Sequence, residues 1–99
     1  MTNDKIKMIQ LFIKEHIEEI SGKDLPKGDR ELCYSMIQEE ITTLVKYYNR
    51  ESQDSQHRNL LTQTLLEVQD ELFKYLARHC EDKQILTIYK YLVSAIYNI

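Results

Sequence analysis

The chain has 99 residues but only two glycines and one proline, and all three fall between positions 22 and 28. A β-rich fold needs turn-forming residues every 8–12 positions or so. This chain has one such cluster, so it reads as a succession of helices. With 42% apolar and 29% charged residues it has the balance of a folded globular domain rather than of a disordered segment. Its length suits a single core and therefore one domain over 1–99.

The apolar spacing divides the chain into four helices. Ile6, Ile9, Ile13, Ile17 and Ile20 step by three or four and predict a first helix over about 4–20, beginning near Asn3. Leu11 and Phe12 are expected to widen its apolar face. Gly22 suits the left-handed position that ends helices, and the stretch Ser21 to Gly28, with Pro26, reads as a loop. Asp29 is placed to cap a second helix over about 30–48, with Leu32, Cys33, Met36, Ile37, Ile41, Leu44, Val45 and Tyr48 on its apolar side.

The segment NRESQDSQHR from Asn49 to Arg58 has no apolar residue and predicts a solvated connection, with Asp54 or Ser55 capping the next helix. Leu61, Leu65, Val68, Leu72, Tyr75 or Leu76, and His79 mark the third helix over about 56–79. Asp70 and Lys74 stand four apart in the acid-before-base order that suits an exposed helix face. Asp82 is expected to cap a fourth helix over about 83–98. No glycine or proline separates it from the third, so the alternative is one continuous rod. The fold expected is all-α, an antiparallel four-helix bundle.

The fourth helix differs from the others. In QILTIYKYLVSAIYNI, Ile85, Ile88, Leu92, Ile96 and Ile99 form one apolar face, and Leu86, Tyr89, Val93 and Tyr97 form a second beside it. Thr87, Lys90, Ser94 and Asn98 make a narrow polar stripe. A helix apolar on so much of its circumference is either central or covered by something else. Packed between helices 1 and 3 it would leave the polar stripe in water. Otherwise its second face is a patch for a partner helix, a membrane surface or a second copy, making a homodimer. Tyrosine pairs a large apolar body with a polar tip, which suits interfaces. The candidate partner-binding residues are Tyr89, Lys90, Tyr91, Ser94, Tyr97 and Asn98.

Signs of chemistry are sparse. Nucleophilic catalysis needs a Ser or Cys beside a base, and the candidate bases are His16, His57 and His79. A couple between Cys33 and His16 or His79 would have to form across the bundle. The nearest approach to a helical metal motif is His16 with Glu19, and no second motif answers it. There is no glycine-rich phosphate loop. Neither a catalytic site, a metal nor a cofactor is expected. Cys33 and Cys80 both fall on apolar faces and read as small buried hydrophobes, the alternative being a disulfide joining helices 2 and 3.

The formal charge is −3, and nucleic-acid binding would need Lys5, Lys7 and Lys14 to gather on one side. No nucleic-acid partner is expected. The charged first residues do not form a signal peptide, and no window approaches the roughly 20 apolar residues of a spanning helix. A cytoplasmic location is expected, with contact to a membrane only at its surface.

The order of parts resembles the immunity proteins that protect lactic acid bacteria against pediocin-like bacteriocins, the enterocin A immunity type. An amphipathic first helix (KIKMIQLFIKEHIEEI) and a second (ELCYSMIQEEITTLVKYY) are followed by a leucine-spaced third (LLTQTLLEVQDELFKYLA) and a last helix of the form ILTIYKYLVSAI. The closest local similarity runs from Leu65 to Val93. The resemblance implies a cytoplasmic binding protein without catalytic activity. Such a protein recognises a complex of bacteriocin with the membrane part of a sugar-uptake permease and blocks the pore. It also implies that the C-terminal part distinguishes one bacteriocin from another.

Overall fold

A computed structural model describes residues 2–22, 24–52 and 55–98. The chain forms a four-helix bundle of α1 (Asn3–Ile20), α2 (Lys27–Arg50), α3 (Gln56–Arg78) and α4 (Lys83–Tyr97). The core is the set of isoleucines and leucines that the spacing singled out. Ile6, Ile13, Ile20, Ile37, Ile41, Leu44, Leu61, Leu65, Val68, Leu72, Ile85 and Leu92 are all but completely buried. Removing such side chains from water is the main source of stability, at about 1.5–3 kcal/mol each.

The helices are not arranged as a square. α2 and α3 pack on each other, α1 lies against both on one side, and α4 lies against both on the other; α1 and α4 do not touch. The molecule is accordingly flat, 44 × 28 × 18 Å. The expectation that the last helix sits between helices 1 and 3 is therefore corrected. With α2 and α3 already paired, their two grooves lie on opposite sides, and each outer helix fills one.

The helix ends are closed by side chains as well as backbone. Thr2 caps α1, its hydroxyl accepting from the Lys5 N–H at 3.2 Å. At the other end Gly22 is not left-handed, contrary to expectation. A Cβ there would stand 3.2 Å from the Glu19 carbonyl oxygen, a tight approach that a larger residue would relieve only by a small shift of the chain. The carbonyls of Ile20 and Gly22 accept from the two Nη atoms of Arg30, at 2.7 and 3.0 Å.

Arg58 does the same for α2, its Nη1 donating to the Tyr48 and Glu51 carbonyls at 2.7 and 3.2 Å. The guanidinium carbon also lies 4.1 Å from the centre of the Tyr48 ring. Each arginine sits in the first turn of the next helix and satisfies carbonyls that the preceding helix leaves open.

α2 begins earlier than expected. Pro26 stands at its N-cap, where the fixed φ of the ring and the lack of an N–H cost nothing. Asp29 is in the first turn rather than at the cap, where its charge still favours the helix dipole. Ser55 caps α3 by accepting from the His57 N–H at 3.1 Å, while the alternative cap, Asp54, lies outside the described residues.

The rod alternative is overturned at His79, whose backbone (φ −134°, ψ 59°) leaves the helix. Asp82 then caps α4 through the Ile85 N–H at 3.1 Å. α4 ends at Asn98, the left-handed residue of the chain at φ 56° among those described, which asparagine tolerates better than most residues. Ile99 lies outside the described residues. No described helix is long and apolar enough to cross a membrane.

Candidate functional site

The six candidate residues on α4 do not form one patch. Ile85, Ile88 and Leu92 are buried, and Thr87, Lys90, Ser94 and Asn98 are exposed. Lys90, Ser94 and Asn98 therefore run along the outer crest, with Asn98 also ending the helix. Tyr89 is half-buried against α3, its ring centroid 6.4 Å from that of Phe73 at an interplanar angle of 42°. Tyr97, seven residues after Lys90, is exposed where that shoulder meets the crest, whereas Tyr91 emerges on the opposite shoulder, toward α2. Leu86 and Val93 are half-buried with Tyr89. The second apolar face of α4 is thus a shoulder shared with α3, neither fully core nor bare.

That shoulder continues onto α3 through residues that spacing alone did not single out. Phe73 is 58% exposed and Leu66 40%, and their seven-residue separation puts them on one stripe. Leu66 borders the groove between α1 and α3, beside Gln10 and Ile13, so of the two it is Phe73 that meets α4. Phe73, Tyr89 and Val93 therefore border the α3–α4 seam as one apolar strip, with Tyr97 at its outer edge. The signal was present as the doublets Leu65–Leu66 and Leu72–Phe73, in which the second member overshoots the buried stripe.

A second cluster closes one end of the bundle. Asp82 Oδ2 accepts from the Tyr34 hydroxyl at 2.7 Å and the Tyr75 hydroxyl at 2.5 Å. Burial would raise the Asp82 pKa, but the bonds from Tyr75 and Tyr34 and from the α4 backbone hold it below the ordinary carboxylate value. Tyr75 and Tyr34 are pushed up, first by burial and then by their bonds to Asp82. The His79 ring stacks on Tyr75 with centroids 4.6 Å apart.

These groups, with Arg30, line a cleft of ≈ 530 Å³. Near neutral pH the carboxylate is charged and both phenols are neutral, each hydroxyl spent on Asp82. Through Asp82 the cluster ties the ends of α2 and α3 to the start of α4.

The Cys–His couples are not formed. Cys33 is buried and donates to Glu19 Oε2 at 3.3 Å. Burial, then the bond to Glu19, pushes its thiol up to about 11, the reverse of an activated nucleophile. His16 instead places Nδ1 2.6 Å from the Phe12 carbonyl oxygen, and Glu19, its supposed co-ligand, is taken by Cys33. Cys80 is exposed in the α3–α4 turn rather than buried, and both cysteines are free, without the disulfide.

Among the described residues no three His, Cys, Asp or Glu side chains converge as a metal site would require. Lys7 and Lys14 share a flank of α1, but Lys5 lies about 200° round the helix from Lys7 at 100° per residue, so the three lysines make no single basic patch.

Comparison of the chain with protein-family models, with curated proteins and with solved structures gives no match.

Proposed function

We propose that this chain is a bacteriocin immunity protein of the enterocin A type, a cytoplasmic binding protein that protects its cell by engaging a permease with bound bacteriocin. The observation that carries the reading is the apolar strip of Phe73, Tyr89, Val93 and Tyr97, in which Phe73 and Tyr97 are exposed and Tyr89 and Val93 half-buried. It lies on the α3–α4 hairpin, the same stretch in which the resemblance to that family is closest. An aromatic strip with a polar crest of Lys90, Ser94 and Asn98 beside it suits a partly apolar, partly wet partner surface. The partner-binding residues of this reading are Phe73, Tyr89, Lys90 and Tyr97.

The test is expression in cells sensitive to pediocin-like bacteriocins. Survival against at least one member of a panel is expected, and Phe73→Ser with Tyr97→Ser is expected to abolish it while the purified variant keeps its helical circular dichroism. Unchanged sensitivity across the panel overturns the proposal. The same strip supports a second reading, a helical adaptor that captures another protein or dimerises. Light scattering at high micromolar concentration separates the two, since a dimer lost in the Tyr97→Ser variant belongs to the second.

A further inference from the structure

We propose that the outer face of the α1–α2 pair is a docking site for a cationic amphipathic helix, distinct from the α3–α4 strip and independent of the immunity reading. Met8, Leu11 and Phe12 on α1 and Leu32 and Met36 on α2 are all exposed. They are not scattered. On α1 the steps of three and four place the three side chains together, and on α2 the step of four does the same.

The Cys33–Glu19 bond shows which flanks meet. Met8, Phe12 and Glu19 share one stripe of α1, and Leu32 and Met36 flank Cys33 on α2. The two sets of apolar side chains thus border the same seam, on the side of the molecule opposite α4.

The rim of this face selects its occupant. Glu15 follows Phe12 by three positions, Glu39 and Glu40 follow Met36 by three and four, and Asp29 precedes Leu32 by three. Glu19 continues this rim toward the end of α1, its carboxylate also accepting from Cys33. The ion pairs formed among the described residues join Glu51, Asp70 and Glu81 and include none of these carboxylates. An apolar floor edged by acids outside those ion pairs matches a helix with one apolar face and lysines or arginines on either side of it.

Two methionines in the floor give it the compliance to accept varied side chains. A second copy of this chain would bring the same acids against themselves, and an anionic lipid surface would be repelled by them.

The probe is a fluorescently labelled synthetic peptide of leucine and lysine with one apolar helical face, titrated into the full chain and followed by anisotropy and by amide chemical shifts. Saturable binding is expected, with shift changes on α1 and α2. Phe12→Ser with Met36→Ser is expected to weaken it about tenfold or more, as is Glu15→Lys with Glu39→Lys, while Tyr97→Ser leaves it unchanged. Because these residues are exposed, the variants are expected to remain folded.

The proposal is overturned if a peptide of the same composition in scrambled order binds equally, or if the shift changes fall on α3 and α4. It is overturned too if the Phe12 and Met36 substitutions have no effect. A dimer or vesicle binding that those substitutions abolish, without peptide binding, would assign the face to another occupant.

Discussion

Tyr34 of α2 donates its hydroxyl to Asp82 at 2.7 Å, joining helices whose partners are 48 positions apart in sequence. The carboxylate also accepts from Tyr75 and from the Ile85 N–H, so one side chain fastens α2, α3 and the start of α4. Asp82→Ala removes a helix cap and leaves the buried Tyr75 hydroxyl without its acceptor. The expected loss is about 2–4 kcal/mol, measured by urea unfolding. Asp82→Asn retains an acceptor for the cap and is expected to lose less. Equal stability of Asp82→Ala and the parent would rule out the fastening role.

The same bonds give a pH dependence of definite sign. The native carboxyl titrates below the ordinary value, so the folded state binds its proton less readily than the unfolded chain, where the group titrates near about 3.9. The resulting stabilisation is present above that value and disappears as pH falls through the lower native one. The stability difference between the parent and Asp82→Asn is expected to be constant near neutrality and to shrink below about pH 4. A difference that grows on acidification would contradict the assignment.

Arg30 and Arg58 act as caps in trans for helices that end without a left-handed glycine. Arg30→Met keeps the apolar stem but strips two carbonyls of their donors, for an expected loss of about 1–3 kcal/mol. Arg30→Lys is expected to recover only part of it, because two carbonyls are reached by two nitrogens of a planar fork that an ammonium does not reproduce. Full recovery by lysine would show that charge alone, through the dipole of α1, is what matters.

These arginines mark the boundary of what the sequence reveals. The buried stripe of α1, Ile6 to Ile20, was legible because period and apolarity agree at every step. Leu11 and Phe12 are equally apolar, yet they face outward, as do Leu32 and Met36. Apolarity widens a predicted face but does not say whether a neighbour covers the added width. The partners of α4 were illegible for a related reason: a stripe shows that a helix must be covered, and only the α2–α3 pairing decides by what. Of the α4 candidates, Lys90, Ser94 and Asn98 share one exposed crest, as their spacing implies, but Tyr89, Tyr91 and Tyr97 do not share a face. Arg30 and Arg58 read as surface charge because their acceptors belong to a preceding helix. An arginine in the first turn after a helix with no left-handed end is the pattern that would have disclosed them.

The two thiols are expected to differ sharply in reactivity. Cys80 is exposed in a turn, and Cys33 is buried with its proton directed at Glu19. A thiol-reactive probe near pH 8 is expected to label Cys80 promptly and Cys33 only on unfolding. The native Cys33 thiol titrates at about 11, against about 8.5 in an unfolded chain. The folded state therefore keeps a proton that the unfolded state gives up, and stability is expected to decline as pH rises from the lower value through the higher. Cys33→Ala is expected to lose part of that decline, the remainder coming from Tyr34 and Tyr75, whose hydroxyls are raised in the same sense. Rapid labelling of both cysteines in the folded protein would place Cys33 outside the core.

Gln69 carries a strain of a different kind. Its Oε1 is buried without a hydrogen-bond partner among the described residues, on the side of α3 that turns toward α4. A buried acceptor left unmet costs about 1–3 kcal/mol relative to one that is paired, whereas an apolar side chain of similar size carries no such penalty. Gln69→Leu is therefore expected to raise the unfolding free energy by about 0.5–1.5 kcal/mol, read from the denaturant midpoint at unchanged slope. Gln69→Glu is expected to act in the opposite direction, because it puts a charge where a neutral acceptor is already unsatisfied. The pair of variants isolates the polarity of the position from its size. If leucine and glutamate both destabilise, the fit of the amide between α3 and α4, rather than its unmet acceptor, governs the site.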